Sequence, residues 1–125
     1  MINNAMAAAK LLAENGIEAE VIKLNIINPL DTAAVLRSLK KTGRLLTAED
    51  VCAHGSIGSR LLAACAEEGL KLKNSAALDL GSGVVAHGSV NELMKLKGLD
   101  AESIAKTAEK FFENRVIDIS EVQAK

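Results

Sequence analysis

Glu49, Asp50, Cys52, His54, Ser56 and Ser59 lie in one short stretch, and His87 stands at a second, similar turn. Cys52 with His54 suggests a nucleophile beside its base, or half of a metal site. Two ligands do not make a zinc site, and no second pair occurs at ligand spacing. The simpler reading is a buried thiol beside a loop histidine. Glu49 and Asp50 suggest acid–base work, but that chemistry needs a positioned partner and none is visible. Glu49 is therefore expected to accept hydrogen bonds from loop amides and fix the turn. Ser56, Ser59 and the free N–H groups of a following helix suggest an anion site. Ordinary helix capping explains the same serines, and His87 reads as a turn histidine bonded to backbone.

These weighings leave no residue expected to be catalytic, cofactor-binding or metal-ligating. They leave one candidate anion or interface loop: Glu49, His54, Gly55, Ser56, Gly58 and Ser59, with His87. No Gly-x-x-x-x-Gly-Lys loop is present, and Gly55 with Gly58 lacks the spacing of a dinucleotide fingerprint. The four residues Ala53-His54-Gly55-Ser56 recur as Ala86-His87-Gly88-Ser89. In both copies glycine permits a sharp turn and serine caps a helix.

The loop must be held by the elements around it. Ala5, Ala8, Ala9 and Leu12 recur at helical spacing, so residues 4–14 are expected to be a helix capped by Asn3 or Asn4 and closed by Gly16. Residues 19–24 read as a strand. Asp31 caps a helix running to about Lys41, ended by Gly43. Residues 44–48 are the next strand, and the helix after the loop carries Ile57, Leu61, Ala64 and Cys65 on one face. Residues 76–80 are a third strand; residues 84–86 are a short extension or loop. Ser89 and Glu92 form a capping box for a short helix ended by Gly98. Asp100 caps a last helix carrying Ile104, Ala105, Ala108, Phe111 and Phe112. The order α-β-α-β-α-β-α-α predicts an α/β fold: a three-layer α-β-α sandwich with a mostly parallel sheet. Such domains open with a strand, and Met1-Ile2 resembles the stub of one, so the first strand is expected to be truncated. The loop then lies beyond the carboxyl end of a strand, where open α/β sheets place binding surfaces.

The chain has 125 residues, enough for one core. The domain is assigned to residues 1–115, with 116–125 as a tail carrying Val116, Ile117, Ile119 and Val122. A net charge of −1, with no Trp or Tyr and two adjacent Phe, argues against a nucleic-acid surface. No stretch reaches the ~20 apolar residues of a membrane span, and no basic region precedes an apolar run as in a signal peptide. Cys52 and Cys65 are expected to be reduced thiols in a cytoplasmic protein.

Four elements of the chain resemble the C-terminal domain of transketolase-like, thiamine-diphosphate-dependent enzymes, and most of all that of 1-deoxy-D-xylulose-5-phosphate synthases. They are Asn15-Gly16-Ile17-Glu18-Ala19-Glu20-Val21-Ile22; Asn28-Pro29-Leu30-Asp31; Thr47-Ala48-Glu49-Asp50 with Gly55, Gly58 and Ser59; and His87-Gly88-Ser89-Val90-Asn91-Glu92-Leu93 followed by Gly98-Leu99-Asp100. His54 departs from the family by replacing the first glycine of its loop, and Ser82-Gly83 stands where many synthases have Pro-Asp. The resemblance implies a parent transferase that joins pyruvate to glyceraldehyde 3-phosphate with loss of carbon dioxide, in isoprenoid biosynthesis. Thiamine diphosphate and Mg²⁺ serve that parent, and this chain is expected to bind neither. Its implied partners are the other domains or a subunit of the parent enzyme, in a homodimer, and alone it is expected to be inactive. Two rival readings are the C-terminal subunit of a split transketolase and a free-standing module that binds small anions.

Overall fold

The computed structural model describes residues 1–113. Helix α1 (Ile2–Glu14) is followed by α2 (Ala33–Thr42), strand β1 (Arg44–Ala48), α3 (Ile57–Glu67), β2 (Asn74–Leu78), α4 (Val90–Leu96) and α5 (Ala101–Glu109). A single 3-10 turn, Lys110–Phe112, ends the described chain. β1 and β2 pair in parallel, from Arg44 opposite Asn74 to Ala48 opposite Leu78. Parallel neighbours need a crossover, and α3 supplies it.

The sheet has helices on both faces because side chains alternate along β1. Leu45 packs with Val35 and Leu39 of α2 and with Leu61 and Cys65 of α3. Leu46 and Ala48 turn the other way, against Ala8 and Leu12 of α1 and Ile104 and Ala105 of α5. These two clusters are the core of a three-layer α/β domain. A hydrogen bond from Asn4 Nδ2 to the Leu99 carbonyl (2.8 Å) ties the start of α1 to the chain entering α5. At the other end Asn15 Nδ2 donates to Glu109 Oε1 (2.7 Å). The two helices therefore run side by side in the same direction.

β1 occupies the expected residues, and so do both expected cap motifs. The Ser89 hydroxyl accepts from the Glu92 amide and the Glu92 carboxylate accepts from the Ser89 amide. Asp100 Oδ2 accepts from the Ser103 amide at 3.2 Å. Other elements depart from expectation. Residues 19–24 form no strand, and residues 18–26 make no backbone–backbone hydrogen bond among the described residues. A strand exists only through a neighbour's ladder, and a cleft separates this stretch from β1. β2 begins and ends two residues earlier than expected, at Asn74 and Leu78, because the Gly43 carbonyl accepts from the Lys73 amide (2.7 Å) and sets the register. Of the two readings of residues 84–86, extension or loop, the structure has the loop, with Val84 98% exposed. Helix α1 starts ahead of Asn3 and Asn4, so neither caps it, and Thr32 takes the cap position of α2, although Asp31 Oδ1 still accepts from the Ala33 amide (3.1 Å). The apolar positions Val116, Ile117, Ile119 and Val122 lie outside the described residues.

Candidate functional site

β1 delivers Thr47, and the residue after its end delivers Glu49, to the first turn of α3. Glu49 Oε2 accepts from the Ile57 amide and Oε1 from the Gly58 amide, each at 2.8 Å. These amides are among the helix-start donors that have no intrahelical partner. The carboxylate satisfies both and sits at the positive end of the α3 dipole. It occupies the place an external anion would take.

Gly58 makes the close approach possible. A Cβ on Gly58 would lie 2.6 Å from Thr47 Oγ1 and 3.4 Å from Glu49 Oε1. Gly58 is itself buried. Thr47 Oγ1 is buried with no hydrogen-bond partner, so this hydroxyl is packed rather than satisfied. Gly55 has φ +86°, the left-handed turn that aims the chain back into α3. Ser56 is the cap residue of α3 and 2% exposed, but its hydroxyl faces that of Ser59 at 3.3 Å instead of a helix amide. Glu49 has taken over the capping role.

The rest of the loop is zipped to the segment after β2. The Glu49 amide donates to Leu78 O (2.9 Å), Leu80 to Val51 O (2.9 Å) and Ala53 to Gly81 O (3.1 Å). On the far side Arg60 Nη1 donates to the Ile27 carbonyl (2.9 Å), so α3 also anchors the turn before α2. Thr47 and Arg60 were not among the expected site residues. Arg60 bonds a carbonyl 33 residues away and Thr47 packs on Gly58 of the next helix, contacts that only the fold brings together.

The structure brings Glu49, Ser56, Gly58 and Ser59 together at the α3 start. His54 is exposed on the same loop, and its carbonyl accepts from Cys52 Sγ at 3.3 Å. Cys52 is exposed, which corrects the expectation of a buried thiol beside a loop histidine. The alternation that buries Leu45 stops at Ala48, so Cys52 belongs to the loop surface. Cys65 is buried, and desolvation pushes its thiol upward from the ordinary range. His87 is exposed in the second turn, and no hydrogen bond joins it to the first loop among the described residues. Among the described residues no group of three His, Cys, Asp or Glu is placed to hold a metal ion, and no helix is long and apolar enough to cross a membrane.

Apolar side chains stand out around this end of the sheet. Val51, Val84, Val85 and Val90 are exposed on or beside the two loops, and Ile26 and Ile27 on the turn held by Arg60. The arrangement is a hydrogen-bonded, self-capped loop framed by apolar surface, and among the described residues no nucleophile is paired with a base there.

The sequence pattern of the family described as "Transketolase, C-terminal domain" matches residues 1–104. Among curated proteins, 1-deoxy-D-xylulose-5-phosphate synthase of Gloeobacter violaceus is 34% identical over 107 residues, 86% of this chain and 17% of the relative. 1-Deoxy-D-xylulose-5-phosphate synthase 1 of Geobacter sulfurreducens is 36% identical over the same shares. An apulose-4-phosphate transketolase subunit of Phocaeicola vulgatus is 30% identical over 110 residues, 88% of this chain and 34% of the relative. The chain thus spans 17% of the length of these synthases and 34% of that of the transketolase subunit.

Proposed function

The chain belongs to the transketolase C-terminal domain family, and we propose that it acts as the non-catalytic, structural C-terminal part of a 1-deoxy-D-xylulose-5-phosphate-synthase-like transferase. The observation that carries this reading is the match to residues 1–104, joined by synthases 34% and 36% identical over 86% of the chain. The parent reaction on this reading condenses pyruvate with glyceraldehyde 3-phosphate in the cytoplasm.

Thiamine diphosphate and Mg²⁺ belong elsewhere in such a parent. A diphosphate needs free donors, and the Ile57 and Gly58 amides are already taken by the Glu49 carboxylate. A second anion beside that carboxylate would be repelled. The α3 start therefore does not fit the diphosphate, and no step through the cofactor is assigned to it.

The role left for the loop is mechanical. Its hydrogen bonds to α3 and to the segment after β2 make a stiff platform, and the exposed valines and isoleucines around it suit contact with the other domains. A homodimer built through those domains completes the reading.

The test is an assay of the purified chain with thiamine diphosphate, Mg²⁺, pyruvate and glyceraldehyde 3-phosphate. No turnover is expected, and no thiamine diphosphate binding by calorimetry. Turnover by the chain alone would overturn the reading.

The relative from Phocaeicola vulgatus, one subunit of a transketolase, favours a second reading: a subunit of a split transketolase. Co-purification of the chain with a separately encoded thiamine-binding subunit, and ketol transfer by that pair alone, would select it.

A further inference from the structure

The side of β2 away from β1 is an open edge. The Asn74 amide donates to the Gly43 carbonyl (3.5 Å) and the Leu78 carbonyl accepts from the Glu49 amide (2.9 Å), so Asn74 and Leu78 turn their backbone groups toward β1. Backbone groups alternate sides along a paired strand, so Ser75 and Ala77 direct theirs away from β1. Neither residue makes a backbone–backbone hydrogen bond on that side among the described residues, and both are exposed. The sheet formed by the described residues ends here. An edge of this kind is a template for another strand.

The residues along this edge match a reversed copy of themselves. Antiparallel pairing sets outward-directed residues directly opposite one another. A two-fold axis through Ala76, the middle residue of β2, sets Ser75 opposite the second copy's Ala77 and Ala77 opposite its Ser75. The same register sets Lys73 opposite the second copy's Asp79, and symmetry repeats that pair at the other end. Opposite charges facing each other across a ladder attract, and like charges repel. Lys73 is exposed. Asp79 Oδ1 accepts from the Gly81 amide (2.8 Å), which holds the carboxylate at the strand end and leaves Oδ2 for a cation. Ala76 meets its own copy at the close, non-hydrogen-bonded position on the axis, where a small side chain fits.

We propose that the open edge of β2 is a homodimerisation surface: two copies of this chain join their β2 strands antiparallel, with Lys73 paired to Asp79 across the two-fold axis, into one sheet ordered β1-β2-β2-β1. The occupant is a second copy because one edge supplies both halves of the match. Each Ser75–Ala77 pair exchanges both of its N–H···O bonds, and an ion pair closes each end of the ladder. Such an interface is isologous and closes on itself, so no β2 edge is left for a third copy. The inference concerns this chain's own surface and holds whichever parent reaction applies.

Neighbouring registers serve less well. An axis through Ser75 sets Lys73 against Ala77 and moves Asp79 beyond the partner strand, and an axis through Ala77 sets Asp79 against Ser75. Only the axis through Ala76 pairs all 5 residues of β2. A lysine on an open edge can also act as a guard that repels other strands. The guard and the ion-pair partner respond in opposite directions to loss of the positive charge.

The experiment follows the full chain by sedimentation equilibrium and amide exchange from about 10 µM to about 1 mM, since so small an interface associates weakly. A reversible dimer is expected. The Ser75 and Ala77 amides should exchange freely when dilute and slow about tenfold once dimer outnumbers monomer about ten to one, while the Leu78 amide, on the β1 side, is unchanged. Lys73→Glu and Asp79→Lys should each weaken self-association at least about fivefold. An equal mixture of the two variants should restore it, because both cross-strand pairs are then of opposite charge again. Circular dichroism checks that each variant is folded. Should Asp79→Lys disturb the turn at Gly81, Ala77→Pro removes an outward donor and no bond to β1, and should abolish the dimer. A monomer across the whole range overturns the proposal. So does association that Lys73→Glu leaves unchanged or strengthens (the guard), or a mixture no tighter than the single variants. Ser75 and Ala77 amides already protected in the dilute chain overturn it too, since another part of the chain then holds the edge.

Discussion

Glu49 and Gly58 form the joint between sheet and helix: the carboxylate Oε1 accepts from the Gly58 amide at 2.8 Å, and a side chain on Gly58 would meet Glu49 Oε1 at 3.4 Å and Thr47 Oγ1 at 2.6 Å. The hydrogen bond and the missing Cβ are two halves of one fit. The helix start comes close enough to be capped by the strand because nothing projects from position 58.

Gly58→Ala tests that fit by sign. In an open helix position alanine is more stable than glycine by about 1 kcal/mol. Here the new Cβ collides with a hydroxyl on β1, so a net loss of about 1–3 kcal/mol is expected. Urea unfolding measures it. Thr47→Ala removes the colliding atom, and in that background Gly58→Ala should lose most of its penalty. A stabilising Gly58→Ala in the wild-type background would show that the joint is looser than described.

Glu49→Ala should cost about 1–3 kcal/mol, since two helix-start amides lose a charged acceptor. Glu49→Gln keeps one acceptor oxygen and should lose less. Amide exchange should report the damage first at Ile57 and Gly58. Equal stability of both variants and wild type would remove Glu49 from its capping role.

The two thiols should separate cleanly in a labelling experiment. Cys52 is exposed, whereas Cys65 is buried and held protonated by desolvation. A thiol reagent at neutral pH should modify Cys52 rapidly and Cys65 only on unfolding in urea. Fast reaction of Cys65 in the native protein would contradict its place in the core between α3 and β1.

Acid should loosen the last two helices together. Hydrogen bonding by Ser103 holds the Asp100 carboxyl below its ordinary value of 3.8, and the Ser89 hydroxyl does the same for Glu92. A carboxylate with a lowered folded pKa contributes stability above the unfolded value, and that contribution is lost as pH falls through the folded value. Stability should therefore be level near neutrality and decline below about pH 4. Asp100→Asn keeps a capping oxygen and should flatten part of the decline, read by circular dichroism across a pH series. An unchanged acid profile in Asp100→Asn would dissociate this cap from the decline.

What could be read from residues alone was local. Arg44–Ala48 is a strand in the structure as in the sequence, because its apolar run is bounded by Gly43 and an acidic pair. The Ser89–Glu92 box and the Asp100 cap depend on partners three positions away, so their spacing was enough. The sequence also indicated that Glu49 would bond loop amides. The tertiary structure decided which ones, and it decided that Ser56 would be displaced as the cap.

The remaining decisions were long-range. Residues 19–24 have strand-like side chains, but a strand is a relationship with a neighbour, and the space beside them is a cleft. Cys52 looked apolar by its neighbours, yet exposure was set by where the alternation of β1 ends. The register of β2 was fixed by Gly43 across the sheet, and the packing of Thr47 on Gly58 by the approach of α3. Sequence spacing determines what contacts within a turn of chain. Contacts between distant segments depend on how layers stack, so burial, register and the open gap in the sheet were settled only by the fold.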